Sequence, residues 1–427
     1  MTMTVDGATE GRGRFSWLGR MLPEPGPGRR LVFCTGVASL GNGLYMTGGA
    51  VYFVHKVGLS PGQVGLGLSV AGILALPLGL PVGYLADRFG PRGTTALLAL
   101  GKAAMLLAAM FVHSFLAYVV VVGALGVAEN TGHVARGAMV AGIMGREGRV
   151  RLSAYMRSVF NGGFAVASLG AGVVIAFDTT PAYLALFWGN AIAMVAVSGL
   201  YMTLPRVPGV RPERRKSGGA RPMLDLPYLV VAQVTGLGRI GPTIVAVGLP
   251  VWLITHTSAP RPLAAWLWLI NTLIVVFLQV QVARDADTVP GASKLQRWTF
   301  MVLAVACVIV GFSQGVPGWA AGLIMAVAVI LFTFGEIWGE AARWGLRYEL
   351  APGNAQGQYG GIFAVGDAVA LVAGPTLVTA VPDHLGLAGW VLLTAIFLGA
   401  LALSGPVIRW AVRTRPAVFE AVQAQEA

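Results

Sequence analysis

Apolar runs of roughly 20 residues recur along the chain, and short polar breaks separate them. Twelve such runs are resolved, over 31–55, 61–86, 94–113, 116–143, 153–177, 181–204, 226–255, 263–282, 298–313, 318–345, 358–380 and 388–410. About 20 apolar residues in an α-helix span a bilayer's hydrocarbon core. Only helices and closed barrels satisfy their own backbone there. The breaks are rich in Gly, Pro and charge, as turns between helices are. The pattern therefore predicts an all-α polytopic membrane protein of twelve transmembrane helices. A longer basic segment, "RVPGVRPERRKSGGARP", divides the helices into two six-helix bundles. The expected organisation is an N-terminal tail over 1–30, a first bundle over 31–204, a linker over 205–225, a second bundle over 226–410 and a C-terminal tail over 411–427.

Composition agrees with this pattern. Hydrophobic residues make up 56% of the chain and charged residues 11%, with mean hydropathy +0.72. A soluble domain carries about 25% charged residues, so this chain could not cover a water-exposed surface. The 59 glycines suit close helix packing in lipid. A net charge of +12 raises nucleic acid as a partner, but the placement of the charge argues against it. Of the 30 Lys and Arg, 24 fall in segments on the side of the N-terminus and two, Lys56 and Arg261, on the other. Such asymmetry is what orients a membrane protein, and it puts both termini in the cytoplasm of a multi-pass cell-membrane (inner or plasma membrane) protein. The N-terminus has no apolar core near its start, so no cleavable signal is expected and the first span serves as an anchor. Cys34 and Cys307 fall within spans and say nothing about redox compartment.

The loops are too short to hold a soluble catalytic domain. No H-E-x-x-H pattern and no G-x-x-x-x-G-K-[ST] phosphate loop occurs. The expectation is a non-enzyme without metal or cofactor, energised by an ion gradient. Its expected partners are a small-molecule substrate, protons and the lipid bilayer, and a monomer is expected.

Two short stretches repeat across the bundles. "ENTGHVAR" in the fourth span is echoed by "EIWGEAAR" in the tenth, where Glu336, Gly339, Ala342 and Arg343 match Glu129, Gly132, Ala135 and Arg136. "SLGNG" near Asn42 in the first span pairs with "GLGRIG" around Arg239 in the seventh. Both matches put the halves in register, as in transporters built from two repeats around a midplane site.

Charges inside the spans are the candidate chemistry. Glu129, His133 and Arg136 share one helical face at i, i+4 and i+7. Glu129 lies roughly 17 Å along its helix from Tyr118, near mid-membrane. An acid at that depth points to function. For Glu129 and Glu336 two roles are open, proton coupling or a static ion pair between helices. Arg239 is deep in the seventh span, where it pairs a carboxylate or meets an anionic substrate. Asn42, His133 and Glu340 join it as candidate cavity residues, with a structural role also open to Glu340. Arg136 and Arg343, two turns from Glu129 and Glu336, are expected to anchor to the inner interface. Lys102, Arg157 and Asp367 are expected to snorkel or to pair at helix ends. Trp298, Trp319, Trp390 and Trp410 fall at span ends and read as interfacial anchors.

Between the second and third spans lies "GYLADRFGPRG". It resembles the signature loop of the major facilitator superfamily, G-x-L-A-D-R-x-G-R-[KR], with Pro91 where that family has a basic residue. The resemblance implies the major facilitator fold and a gating role for Gly83, Asp87, Arg88, Gly90 and Arg92. It further implies that Asp87 meets the N-terminal end of the eleventh helix, near Gln358. A second copy of the motif survives only as "ARDAD" over 283–287. "NGGFAVASLGAGV" in the fifth span and "FGEIWGE" in the tenth resemble the drug/proton antiporter branch. That branch's Gly-Pro step is missing from the fifth span, and its fourth-span arginine, which would fall near Val122, is missing as well. The function this resemblance implies is proton-coupled export of a small hydrophobic compound. The alternative is proton-symport uptake of a polar metabolite such as a sugar or organic anion. A cavity dominated by Arg239 favours the alternative, and a wall of Trp, Phe and Met favours export.

Overall fold

The computed structural model describes residues 23–75, 77–145, 148–207, 225–353 and 355–415. The expected N-terminal tail to residue 22, the linker over 208–224 and the C-terminal tail from 416 lie outside them. Among the described residues the chain forms twelve helical spans. The first bundle holds α1 (Pro27–His55), α2 in two pieces (Pro61–Ala75 and Gly79–Phe89), α3 (Pro91–Ala109), α4 (Phe115–Ile143), α5 (Arg149–Ala176) and α6 (Thr180–Met202). The second holds α7 (Leu226–His256), α8 (Leu263–Val282), α9 (Val289–Gly311), α10 (Gly318–Glu349), α11 (Gln356–Leu385) and α12 (Leu387–Arg413).

The helices begin and end where local chemistry allows. Ser114, Thr179 and Thr288 cap α4, α6 and α9 by accepting from backbone N–H groups three residues on. Gly90, at φ +93°, makes the sharp turn between α2 and α3, a backbone conformation that glycine adopts without strain. The helix α9 starts nine residues before its apolar run. Its first turns, "VPGASKLQR", are polar but helical, and hydropathy alone does not register them.

The two bundles share one packing scheme. In the first, α1 packs on α5 and α6, α3 on α4 and α6, and α2 on α4. In the second, α7 packs on α11 and α12, α9 on α10 and α12, and α8 on α10. Each pairing recurs six helices later, as the two sequence echoes suggest. Between bundles, α2 meets α11 and α5 meets α8, a pair of contacts related by the same repeat.

The span α7 is irregular for a readable reason. It contains a 3-10 turn at Leu237–Arg239 and a π-helical stretch at Ile244–Gly248. A proline inside a helix removes one hydrogen bond and crowds the carbonyl four residues before it. For Pro242 and Pro250 those residues are Gly238 and Ala246, one in each irregular stretch. Arg239 therefore projects from a distorted turn.

Each bundle has its own aromatic core. Phe53, Tyr118 and Phe187 pack in the first, and Trp252, Phe332, Phe397 and Trp390 in the second. Trp319 and Trp410 are exposed near helix ends, in keeping with an interfacial place; Trp298 is also exposed but lies in the middle of α9, which begins at Val289. Trp390 departs from the expectation. It is 1% exposed and meets the Trp252 ring edge-on at 5.5 Å, so it belongs to the core.

Candidate functional site

The helix ends that hold "GYLADRFGPRG" bring the bundles together at the face rich in Lys and Arg. Gly83 packs directly on the Gly357 backbone, and a side chain at either position would collide with the other helix. This approach lets Asp87 reach the first turn of α11. The Gly357 N–H donates to its Oδ1 at 2.8 Å, and the Gln358 N–H donates to its Oδ2 at 3.0 Å. Free N–H groups and the helix dipole both favour an anion there. Arg92 donates to the Leu204 carbonyl at 2.9 Å and ties the start of α3 to the end of α6. Arg88 is exposed and donates to the Tyr84 hydroxyl at 3.3 Å.

Two further contacts cross between the bundles at the same face. Arg347 of α10 donates to the Val134 carbonyl of α4 at 3.4 Å, and Tyr348 meets Ser153 of α5 at 3.3 Å. The Arg347 guanidinium fits between Gly137 and Gly360, one from each bundle, and a side chain on either would displace it.

Above this latch a cavity of about 390 Å³ lies between the bundles, its wall drawn from α1, α4, α5, α7, α10 and α11. Five arginines line it (Arg136, Arg157, Arg239, Arg343 and Arg347) against two carboxylates, Glu340 and Asp367. Met156, Phe160 and Trp344 add an apolar side. The charges form one connected cluster. Glu340 is paired with Arg239, receives Arg343 Nη2 at 2.8 Å and has Arg157 Nη1 at 3.6 Å. Arg343 extends to Asp367 Oδ2 at 3.1 Å. Arg157, from the first bundle, is also paired with Glu336 of the second, which accepts from Asn271 Nδ2 at 3.0 Å. One cation thus holds two acids across the bundle interface.

A second cluster lies inside the first bundle. Lys102 of α3 is paired with Glu129 and donates to Asn42 Oδ1 at 2.6 Å, beside a pocket of about 40 Å³. His133 Nε2 is 3.2 Å from Glu129, and Arg136 is 3.1 Å from His133 Nδ1. The i, i+4, i+7 face of α4 is thus a continuous polar chain that ends in the large cavity.

Of the expected cavity residues, His133, Arg239 and Glu340 line it. Asn42 and Glu129 sit with Lys102 within the first bundle, and Glu336 sits with Arg157 and Asn271. Arg136 and Arg343 line the cavity rather than anchoring to an interface. Arg343 is two turns from Glu336 but only one from Glu340, and Asp367 meets it from α11. Of the two roles expected for Lys102, Arg157 and Asp367, snorkelling or pairing at helix ends, it is pairing that occurs, inward and with opposite charges. Their depth suggested escape to the surface. The signal that they pair is the presence of acids on neighbouring spans, since a charge buried alone is costly.

The geometry can be set beside known proteins. No curated protein matches the sequence. Among solved structures, a bacterial homologue of the iron transporter ferroportin in an outward-facing state is similar at TM-score 0.68 and 13% identity, with 91% of this chain and 100% of that one covered. The proton:xylose symporter XylE bound to 6-bromo-6-deoxy-D-glucose is similar at TM-score 0.69 and 14% identity, covering 89% and 95%. The human organic anion transporter MFSD10 (TETRAN) is similar at TM-score 0.57 and 16% identity, covering 89% and 100%. These likenesses concern the fold. The sequence itself matches the Major Facilitator Superfamily profile over residues 31–375, and with twelve helices in two six-helix bundles the chain belongs to that superfamily of transporters.

Proposed function

We propose that this transporter carries a small organic anion through the cavity between its bundles. The observation that supports this reading is the wall itself, five arginines against two carboxylates. Guanidinium groups in a poorly solvated cavity recognise carboxylate or phosphate strongly and with geometric preference. The volume, near 390 Å³, is at the small end of ligand pockets. Met156, Phe160 and Trp344 offer one apolar side, which suits an organic body better than an inorganic ion. The same three side chains are what favours the second reading, export of a hydrophobic compound. The arginines outnumber them, and an uncharged cargo would gain nothing from their charge.

Transport proceeds by rocking of the bundles. The basic face is the cytoplasmic one, and Asp87 on the first turn of α11 holds it closed. The test is uptake into proteoliposomes of labelled organic anions, neutral sugars and lipophilic cations. Anions are expected to move, and Arg239→Gln to weaken their apparent affinity by about tenfold or more, the loss of one charge-assisted contact. Movement of cations or sugars with anions ignored would overturn the reading.

A further inference from the structure

Resting on that reading, we propose that Glu340 is a tethered anion occupying the cargo's own site, and that cargo and proton displace it together. The three guanidiniums placed to grip an anionic cargo at mid-cavity are Arg157, Arg239 and Arg343, and all three already converge on the Glu340 carboxylate. They come from α5, α7 and α10, so the carboxylate is held from both bundles at once. Glu340 is 3% exposed and hydrogen-bonded at both oxygens. A cargo carboxylate can reach these arginines only by taking its place.

Charge balance decides what happens to the displaced group. The groups in this cluster are Arg157 from α5, Arg239 from α7, Arg343, Glu336 and Glu340 from α10, and Asp367 from α11. Three cations meet three acids. The charged or titratable groups nearest beyond them are His133 and Arg136 of α4 and Arg347 and Tyr348 of α10. Arg136 is turned to His133, and Arg347 is held between Gly137 and Gly360 on the Val134 carbonyl, so neither pairs with an acid of the cluster. A fourth negative charge in the balanced cluster would leave a carboxylate buried without a cation, which is strongly unfavourable. A proton taken from water onto a Glu340 oxygen removes that cost. Glu340 becomes a neutral acid, the cargo anion takes over its guanidinium contacts, and the charge of the cluster is unchanged. Cargo and proton therefore bind together and move in the same direction. When the cargo leaves, Glu340 loses its proton and closes again on the arginines. The coupling is one proton for each cargo that takes the place of Glu340, and the symport it gives accumulates the anion on the side toward which protons flow.

The proposal is tested on the full-length purified chain in lipid nanodiscs and proteoliposomes, with benzoate, salicylate and phthalate as probe anions. Native protein is expected to take up about one proton from weakly buffered solution for each benzoate bound, and its affinity to fall about tenfold per pH unit in the coupled range. Glu340→Gln should bind the probe with no proton uptake and no such pH dependence. It should still exchange labelled for unlabelled benzoate while losing accumulation driven by a pH gradient. Glu340→Asp keeps the charge but shortens the reach, and is expected to bind benzoate more tightly than the native chain at neutral pH. It serves if the glutamine variant does not fold. Anion binding with undiminished proton uptake in Glu340→Gln overturns the proposal and leaves the anion reading standing, as does Glu340→Asp binding no more tightly than native. Failure of every probe to bind folded native and variant protein overturns both.

Discussion

The same octapeptide pattern, once in each bundle, builds two different devices. In α4, Glu129 finds its cation within its own bundle, Lys102 of the neighbouring α3. In α10, Glu336 finds its cation in the other bundle, Arg157 of α5. A pair inside one bundle moves as a rigid piece when the bundles rock, and it is present in every state of the cycle. A pair across the interface exists only while the bundles are close at that level. The first can hold a fold together; the second can hold a state. Repeats that are similar in sequence thus divide the labour through the addresses of their partners, which neither octapeptide contains.

The largest effect is expected from Arg157→Gln. Removing one partner of a buried ion pair costs about 3–5 kcal/mol. At about 3 kcal/mol, a conformational ratio changes by roughly a hundredfold. Because the pair spans the bundles, that cost falls on the closed arrangement. Cysteine labelling at the basic face should rise sharply, and gradient-driven transport should be lost. Labelling indistinguishable from native would show that Arg157 holds no state.

Next is Lys102→Met. It leaves Glu129 without its cation in a bundle that does not come apart, so the penalty should fall on the fold. The melting temperature in detergent should drop by several degrees, with basic-face labelling unchanged. Adding Glu129→Gln should restore part of the loss, because the uncompensated charge is gone. A labelling change as large as that of Arg157→Gln would erase the distinction between the two pairs.

How far this could be read from the sequence follows the same division. The spans were legible because hydropathy and helix length are local properties, and the observed helices α4, α6 and α8 begin and end within a few residues of their apolar runs. Contact between Asp87 and the start of α11 was legible through the resemblance of the signature loop, while the close approach at Gly83 that allows it was not. The ion-pair partners were not. Lys102 and Arg157 lie near enough to a helix end to reach water, and only the neighbours brought by packing turn them inward. Trp390 was misplaced for a similar reason, since a tryptophan at a span end looks the same whether lipid or Trp252 lies beside it. Arg343 was judged against Glu336 when Glu340, one turn away, was its partner.

The smallest effect is expected from Asp178→Asn, and it separates location from burial. Lys56 and Asp178 also pair within the first bundle, at 3.0 Å, but in the turn before α6 and in contact with solvent. If membership of one bundle alone made a pair stabilising, this substitution would resemble Lys102→Met. Water and salt screen an exposed pair, and its contribution is slight. The substitution is clean, because Asp178 sits at φ +44° and asparagine tolerates that left-handed conformation. Lys56, with the Tyr183 hydroxyl, holds the Asp178 carboxyl below its ordinary range. A depressed carboxylate contributes its stability above the unfolded value and loses it as pH falls through the folded one. Any difference between Asp178→Asn and native should therefore be present at neutral pH and vanish only in acid. Melting curves at neutral pH are expected to coincide within a degree. A drop as large as that of Lys102→Met would show that place in the bundle, and not removal from water, decides what such a pair is worth.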